Sequence, residues 1–270
     1  MWPRTKVLGL PALLITAGAA QYAPTWDSLD TRPLPTWYDD AKVGIFIHWG
    51  VFSVPSFGVS SGGASGEWFW WEWQGSKDPA YSAFVAATEA PQWTYADYAP
   101  RFQAEFFNAS QWASLFKASG ARYIVPTSKH HEGFTNWPSA TSFNWNSVDV
   151  GPHRDLIGEL ATAVKAAGLT FGIYHSLFEW FNPLFLEDEA AKFAKNITTS
   201  EFLQKTFGEL HDLVNRYEPE LIWSDVRFLR ARLAHPVPPL ITPSPYPPAG
   251  RLDGARRLLV RARKLSCVAG

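Results

Sequence analysis

Two rhythms of apolar residues alternate along the chain. Four short runs carry a block of apolar residues: "VGIFIHWG" (Val43–Gly50), "RYIVPTSKHH" (Arg122–His131), "LTFGIYHS" (Leu169–Ser176) and "LIWSD" (Leu221–Asp225). Their length and their β-branched and aromatic content predict buried strands. Helical spacing lies between them. "SQWASLFKASG" places Trp112, Leu115 and Phe116 on one face and stops at Gly120, while "DLIGELATAVKAAG" starts on Asp155, a candidate N-cap, and stops at Gly168. "TSEFLQKTFGELHDLVNRYEP" spaces Phe202, Leu203, Phe207, Leu210 and Leu213 helically and ends before Pro219. Strand, helix, strand, helix predicts a parallel α/β sheet.

Each predicted strand delivers polar side chains at its C-terminal end: His48, then His130 and His131, then Tyr174 and His175, then Asp225. That is the pattern of a (β/α)8 TIM-type barrel, whose chemistry sits at the C-terminal face. Side-chain alternation then turns Gly44, Phe46, Thr170, Gly172 and Trp223 inward with His48, Tyr174 and Asp225. Ile45, Ile47, Phe171, Ile173 and Ile222 face the helices. About the first four βα units are accounted for by residue 225, and a doubly wound open sheet is the alternative. Pro126 is out of place in a central strand, because it has no N–H to give the ladder.

Composition divides the chain. With 46% hydrophobic and 18% charged residues it is globular rather than disordered. Residues 1–20 read as a secretory signal peptide: Arg4 and Lys6 precede the apolar "VLGLPALLITAG", and Ala17, Ala19 and Ala20 offer a cleavage site. That run is shorter than the ~20 residues of a membrane span, so no membrane association is expected after cleavage. Residues 226–270 hold nine basic residues against one acid, Asp253, and therefore carry +8, which leaves −9 on residues 1–225. The acidic body has no basic patch for nucleic acid. Seven prolines between Pro236 and Pro248 forbid regular structure in the tail. In the secretory pathway, "NAS" at Asn108 and "NIT" at Asn196 are glycan acceptors. The one cysteine, Cys267, permits no internal disulfide.

Trp is abundant, at 14 residues, and "EWFWWEWQ" (Glu67–Gln74) packs four into one short run. Such rings cannot all be buried together, and flat aromatic faces suit the apolar faces of sugars. On its own, Asp225 reads as a cap, a structural carboxylate or a buried catalytic anion. Several histidines and an aspartate on a barrel rim could hold zinc. No HxH or HExxH spacing occurs, and neighbouring His130 and His131 face opposite ways unless their strand has ended. No metal and no cofactor are therefore expected. There is no GxSxG nucleophile elbow and no Gly-rich phosphate loop.

Taken in order, "VGIFIHWG" with "VFSVPSFG", "EWFWWEWQ", "TSKHHEGFTNWPS", "NWNSVDVGPHRDLIGEL", "GIYHSLFEWFNPLF" and "PELIWSD" resemble the α-L-fucosidases of glycoside hydrolase family 29, closest to the animal lysosomal or secreted type. The resemblance runs from about Tyr22 to Asp225. It implies a retaining hydrolase that removes terminal α-L-fucose from glycoproteins and glycolipids, with the Asp of the WSD motif, Asp225, as nucleophile. It implies that His48, Glu67, Trp68, His130, His131 and Tyr174 line the fucose pocket; alternation points His175 away from Tyr174 and gives it a structural role. It implies a lysosomal or secreted location, and homo-oligomers in full-length relatives.

Three departures stand out. "VSSGGASG" (Val59–Gly66) is an apparent insertion that could displace Glu67. Pro126 replaces an apolar residue with a backbone donor. Val226 stands where relatives carry Gly, and the family's acid/base carboxyl is expected beyond the fourth strand. The 270 residues alone are therefore expected to be inactive or nearly so. A non-catalytic fucose-binding protein, or a truncated splice or gene-model product, is the alternative.

Overall fold

The four apolar runs are strands. In the computed structural model they form β1 (Gly44–Ile47), β2 (Tyr123–Lys129), β3 (Thr170–Ser176) and β4 (Leu221–Asp225). All pair in parallel, in the spatial order β1-β2-β3-β4. Residues 22, 25–59, 66–195 and 199–225 are described. The predicted leader, the tail after Asp225, Asn196 and most of the 59–66 insertion lie outside them. A doubly wound sheet would reverse its strand order at a switch point. Sequential order without reversal is that of a barrel wall, here four strands of it.

Among the described residues seven α-helices flank the strands: α1 (Trp26–Asp30), α2 (Thr36–Ala41), α3 (Pro79–Thr88), α4 (Ala109–Ala118), α5 (Leu156–Ala166), α6 (Pro183–Ala190) and α7 (Glu201–Tyr217). Their ends follow the chemistry read from the sequence. Asp155 caps α5, accepting from Gly158 N at 2.8 Å, and Tyr217 Oη donates to its second oxygen at 2.8 Å. That bond ties the end of α7 to the start of α5. Beyond α5 the chain turns at Gly168, whose φ of +77° suits glycine. Its N–H donates to Lys165 O at 3.0 Å, and Leu169 N donates to Val164 O at 3.1 Å. Asn108 and Ser200 cap α4 and α7, accepting from Gln111 N and Leu203 N, each at 2.9 Å.

The alternation holds as predicted. Ile124, Phe171, Ile173 and Ile222 face the helices and join Leu156, Leu160, Val164, Leu210 and Leu213 in the main core. Burying each such side chain contributes about 1.5–3 kcal/mol. On the opposite face Val125, Tyr174 and Leu221 pack with Trp37, Tyr38, Tyr123 and Trp223. Phe46 lies against Tyr174 and Trp223 there, with ring centroids 5.7 and 4.7 Å away.

Pro126 does sit in β2, paired with Ile47 of β1. The Thr127 hydroxyl donates to the carbonyl of that same Ile47 at 2.7 Å. A side-chain donor thus serves the ladder next to the residue that cannot. The β2–β3 register then shifts between Thr127 and Lys129.

Candidate active site

The C-terminal ends of the strands converge on one hollow. His48 follows β1, His130 and His131 follow β2, Tyr174 lies within β3, and Asp225 closes β4. Because β2 ends at Lys129, strand alternation no longer separates His130 from His131, and their ring centroids are 4.2 Å apart. His48 lies 5.3 Å from the His130 ring and 4.9 Å from the Tyr174 ring. Trp68 meets the His131 ring at 5.6 Å. Glu67 lies close enough to act electrostatically on His130 and Tyr174, so the insertion before it has not carried it away.

Asp225 is held by two of these groups. Tyr174 Oη donates to its Oδ2 at 3.3 Å, and His131 Nε2 lies 3.6 Å from the same oxygen. On the far side of the His131 ring, Nδ1 is 2.5 Å from Ser176 Oγ. The Ser176 hydroxyl has one proton and a second acceptor within reach, Phe178 O at 3.0 Å. The Asp225 carboxylate beside Nε2 calls for a donor there, which leaves Nδ1 to accept the Ser176 proton. Nε2 then carries the ring proton on the Asp225 side, where a carboxylate favours a donor.

Burial keeps both histidines neutral. Desolvation, then the neighbouring His48, holds His130 down at about 3. Desolvation, then His130 and His48, holds His131 well below the ordinary imidazole range. Burial, and the Asp225 charge beside it, raises the Tyr174 hydroxyl well above the usual tyrosine value, so it stays a donor. The hollow therefore sets the Asp225 carboxylate, with Glu67 nearby, among the neutral donors His130, His131 and Tyr174 and aromatic faces. Among the described residues no group of three or more His, Cys, Asp or Glu is arranged to hold a metal ion.

The family model described as Alpha-L-fucosidase matches residues 12–238. This chain belongs to the α-L-fucosidase family. It is 57% identical over 206 residues to the tissue alpha-L-fucosidase of Bos taurus, covering 76% of this chain and 42% of that protein. It is 56% identical over 209 residues to the plasma alpha-L-fucosidase of Homo sapiens, covering 77% of this chain and 42% of that protein. The Thermotoga maritima alpha-fucosidase, solved in complex with a mechanism-based inhibitor, superimposes with a TM-score of 0.67 at 35% identity. That match covers 76% of this chain and 50% of the bacterial one. The chain thus spans about half the length, or less, of the relatives it matches.

In this fucosidase fold a buried ion network stands behind the hollow. Lys129 Nζ donates to Glu179 Oε1 at 2.7 Å and Glu209 Oε2 at 2.6 Å, and Lys205 Nζ donates to the same two carboxylates at 2.5 and 2.6 Å. Two lysines and two glutamates cancel, and both carboxylates are held below their ordinary range against the opposing pull of burial. The network joins the end of β2 to α7 and to the loop after β3, which carries Trp180. His175 belongs here, with Nε2 at 3.4 Å from Glu209 and Nδ1 at 3.2 Å from Ser128 Oγ. It faces away from the hollow, as β3 alternation requires.

One expectation needs revision. Asp225 is not a buried anion: its side chain is 40% exposed, because among the described residues no strand pairs with the far edge of β4. The Trp run is as open as its density requires: Trp68, Trp70 and Trp73 are half-buried and Trp71 is exposed. Phe69 is fully buried within it, and Trp70 and Trp71 turn to Trp180, with centroids 5.8 Å away in each case.

Trp180 was missed from the sequence. It touches Trp68 at 5.3 Å, His131 at 4.9 Å and His130 at 5.8 Å. Glu132 and Ser176 were missed as well. Glu132 stands next to His131 in the sequence, whereas Ser176 meets His131 only across 45 residues. Asn108 is exposed at the start of α4. Its side-chain oxygen is used as the cap, which leaves the amide nitrogen, the glycan-bearing atom, outside that bond.

Proposed function

We infer that this chain carries the nucleophile and the sugar-reading face of a retaining α-L-fucosidase. The observation that carries this reading is Asp225 at the end of β4, 3.3 Å from Tyr174 Oη and 3.6 Å from His131 Nε2. Its substrate is terminal α-linked L-fucose on glycoproteins and glycolipids. An Asp225 oxygen attacks the anomeric carbon as the bond to the leaving oxygen breaks, and that oxygen takes a proton from an acid. Water then attacks the same carbon, gives up a proton, and releases Asp225 with net retention.

The surrounding groups suit that chemistry. The transition state resembles an oxocarbenium ion, which an anion stabilises and a nearby imidazolium would oppose. Burial removes the second effect by keeping His130 and His131 neutral. His48, His130, His131 and Glu67 read the sugar hydroxyls, and Trp68 packs on the methyl group and the apolar ring face.

A retaining glycosidase pairs its nucleophile with a second carboxyl about 5–5.5 Å away. The resemblance places that acid/base beyond the fourth strand. A chain without that carboxyl would lose the ~10²–10⁴ in rate that acid catalysis provides. The secretory pathway, ending in a lysosome or outside the cell, is the location we assign, on the strength of the leader-like residues 1–20 and the tissue and plasma enzymes among the relatives.

Two measurements on the purified chain test the reading. Calorimetric titration with L-fucose should show saturable binding, lost in His130→Ala. Hydrolysis of an aryl α-L-fucoside should run far below the rate of a full-length relative. Absence of any fucose binding by the folded chain would contradict the reading. Binding without any reaction at Asp225 would support a purely fucose-binding protein instead.

A further inference from the structure

His130 Nδ1 and Glu132 Oε2 lie 3.4 Å apart, with both side chains 2% exposed. Neither atom has a hydrogen-bond partner among the described residues. Two buried polar atoms left unpaired are costly, and a single proton shared between them removes both deficits. That proton can sit on the imidazole, with Glu132 ionised, or on the carboxyl, with Nδ1 accepting.

We propose that Glu132 keeps the proton and donates it to Nδ1 of His130. It is then a positioning residue that fixes the Nε2–H tautomer and makes His130 a donor to the ligand. Identifying that ligand as fucose rests on the function proposed above; the tautomer does not.

The surroundings decide between the two protonation states. Glu132 sits at the turn that follows β2, and Trp145 Nε1 donates to its backbone oxygen at 2.9 Å, not to its carboxyl. The charged or titratable groups acting on it are His48 from the end of β1, Lys129 from β2, Glu179 from the loop after β3, Tyr174 from β3, and Tyr95. The one fixed cation among them, Lys129, is already bonded to Glu179 and Glu209. Burial therefore dominates and pushes the Glu132 carboxyl up to about 8, while it pushes His130 down to about 3. At neutral pH both groups are uncharged, and only the carboxyl has a proton to give to Nδ1.

This arrangement switches with pH. Once Glu132 ionises, its carboxylate demands a donor, and the neutral ring meets the demand by moving its proton to Nδ1. Nε2 then becomes an acceptor. The same residue that makes His130 a donor at neutral pH makes it an acceptor in alkali.

The test uses the full 270-residue chain labelled with ¹⁵N-histidine. Two-bond ¹H–¹⁵N correlation spectra report which ring nitrogen carries the proton, and the His130 signals are assigned by their loss in His130→Gln. The wild type should show Nε2–H at neutral pH and pass to Nδ1–H as the pH rises through about 8. Glu132→Gln, whose amide still donates, should hold Nε2–H through neutral and alkaline pH. An Nδ1–H ring in the wild type at neutral pH overturns the proposal, as does a Glu132→Gln ring that titrates like the wild type. L-fucose titration is run alongside. The predicted tautomers with no fucose binding would remove the fucosidase reading and leave the Glu132 assignment standing. Fucose binding with the opposite tautomer would do the reverse.

Discussion

The Tyr174 hydroxyl donates to Asp225 Oδ2 across 3.3 Å, from the third strand to the end of the fourth. Tyr174 is buried and Asp225 is open to the hollow, so a fixed donor holds the carboxylate in place. Tyr174→Phe removes the donor and keeps the ring. Bonds to charged groups contribute about 1.5–3 kcal/mol. Solvent around the half-exposed carboxylate reduces that to about 1 kcal/mol, roughly fivefold in the rate of any reaction at Asp225. Stopped-flow or mass-spectrometric rates with an activated fucoside measure it. Unchanged reactivity would remove Tyr174 from the site.

Lys129 is fully buried between Glu179 and Glu209. Lys129→Met leaves two buried carboxylates sharing Lys205, and breaking a buried pair in this way costs about 3–5 kcal/mol. Urea denaturation should show a loss of that size, with a matching fall in fucose affinity because Lys129 immediately precedes His130. A variant as stable as the wild type would mean that the network is dispensable.

Trp180 braces both site histidines and three other tryptophans. Trp180→Ala should cost about 3–5 kcal/mol, read as a lower urea midpoint. Trp180→Phe should recover part of it.

Stability should pass through a maximum near pH 6.5. His130 and His175 are held down at about 3 and about 4 in the fold, and His131 lower still, against 6.5 in the unfolded chain. Below 6.5 the unfolded state takes up protons that the folded state refuses, so stability falls as the pH drops. Glu179 and Glu209, held down by their lysines, add to this loss in acid. Glu132 acts the other way. It is raised from 4.5 to about 8, so the stability it contributes fades as the pH rises from 4.5 towards 8. The histidines outweigh it below 6.5, and it dominates above. Denaturation midpoints across pH should show both limbs, and Glu132→Gln should flatten only the alkaline one.

The strands, the main helices and the assembly of His48, His130, His131, Tyr174 and Asp225 were legible because each depends on local pattern. Alternation set which side of Ile173 and Tyr174 faces the core, and Asp155 and Gly168 marked the ends of α5. What escaped depends on contacts between residues distant in sequence. Lys129 reads as the polar end of a strand until Glu209, 80 residues later, meets it. Trp180 is one of many tryptophans until the loop after β3 folds over the histidines. The exposure of Asp225 likewise follows from which strands flank β4, not from the WSD motif. The shared direction of His130 and His131 turned on where β2 ends, which the apolar run does not mark.

The most direct test is a covalent one. 2-Deoxy-2-fluoro-α-L-fucosyl fluoride has a leaving group that needs no protonation, so it reacts with a retaining nucleophile even where acid catalysis is missing. Incubation with the purified chain, followed by proteolysis and mass spectrometry, should show one fluorofucosyl group on the peptide holding Asp225, and none in Asp225→Asn. A folded chain that binds fucose yet stays unlabelled, or that is labelled at Glu67 instead, would contradict the assignment of Asp225 as the nucleophile.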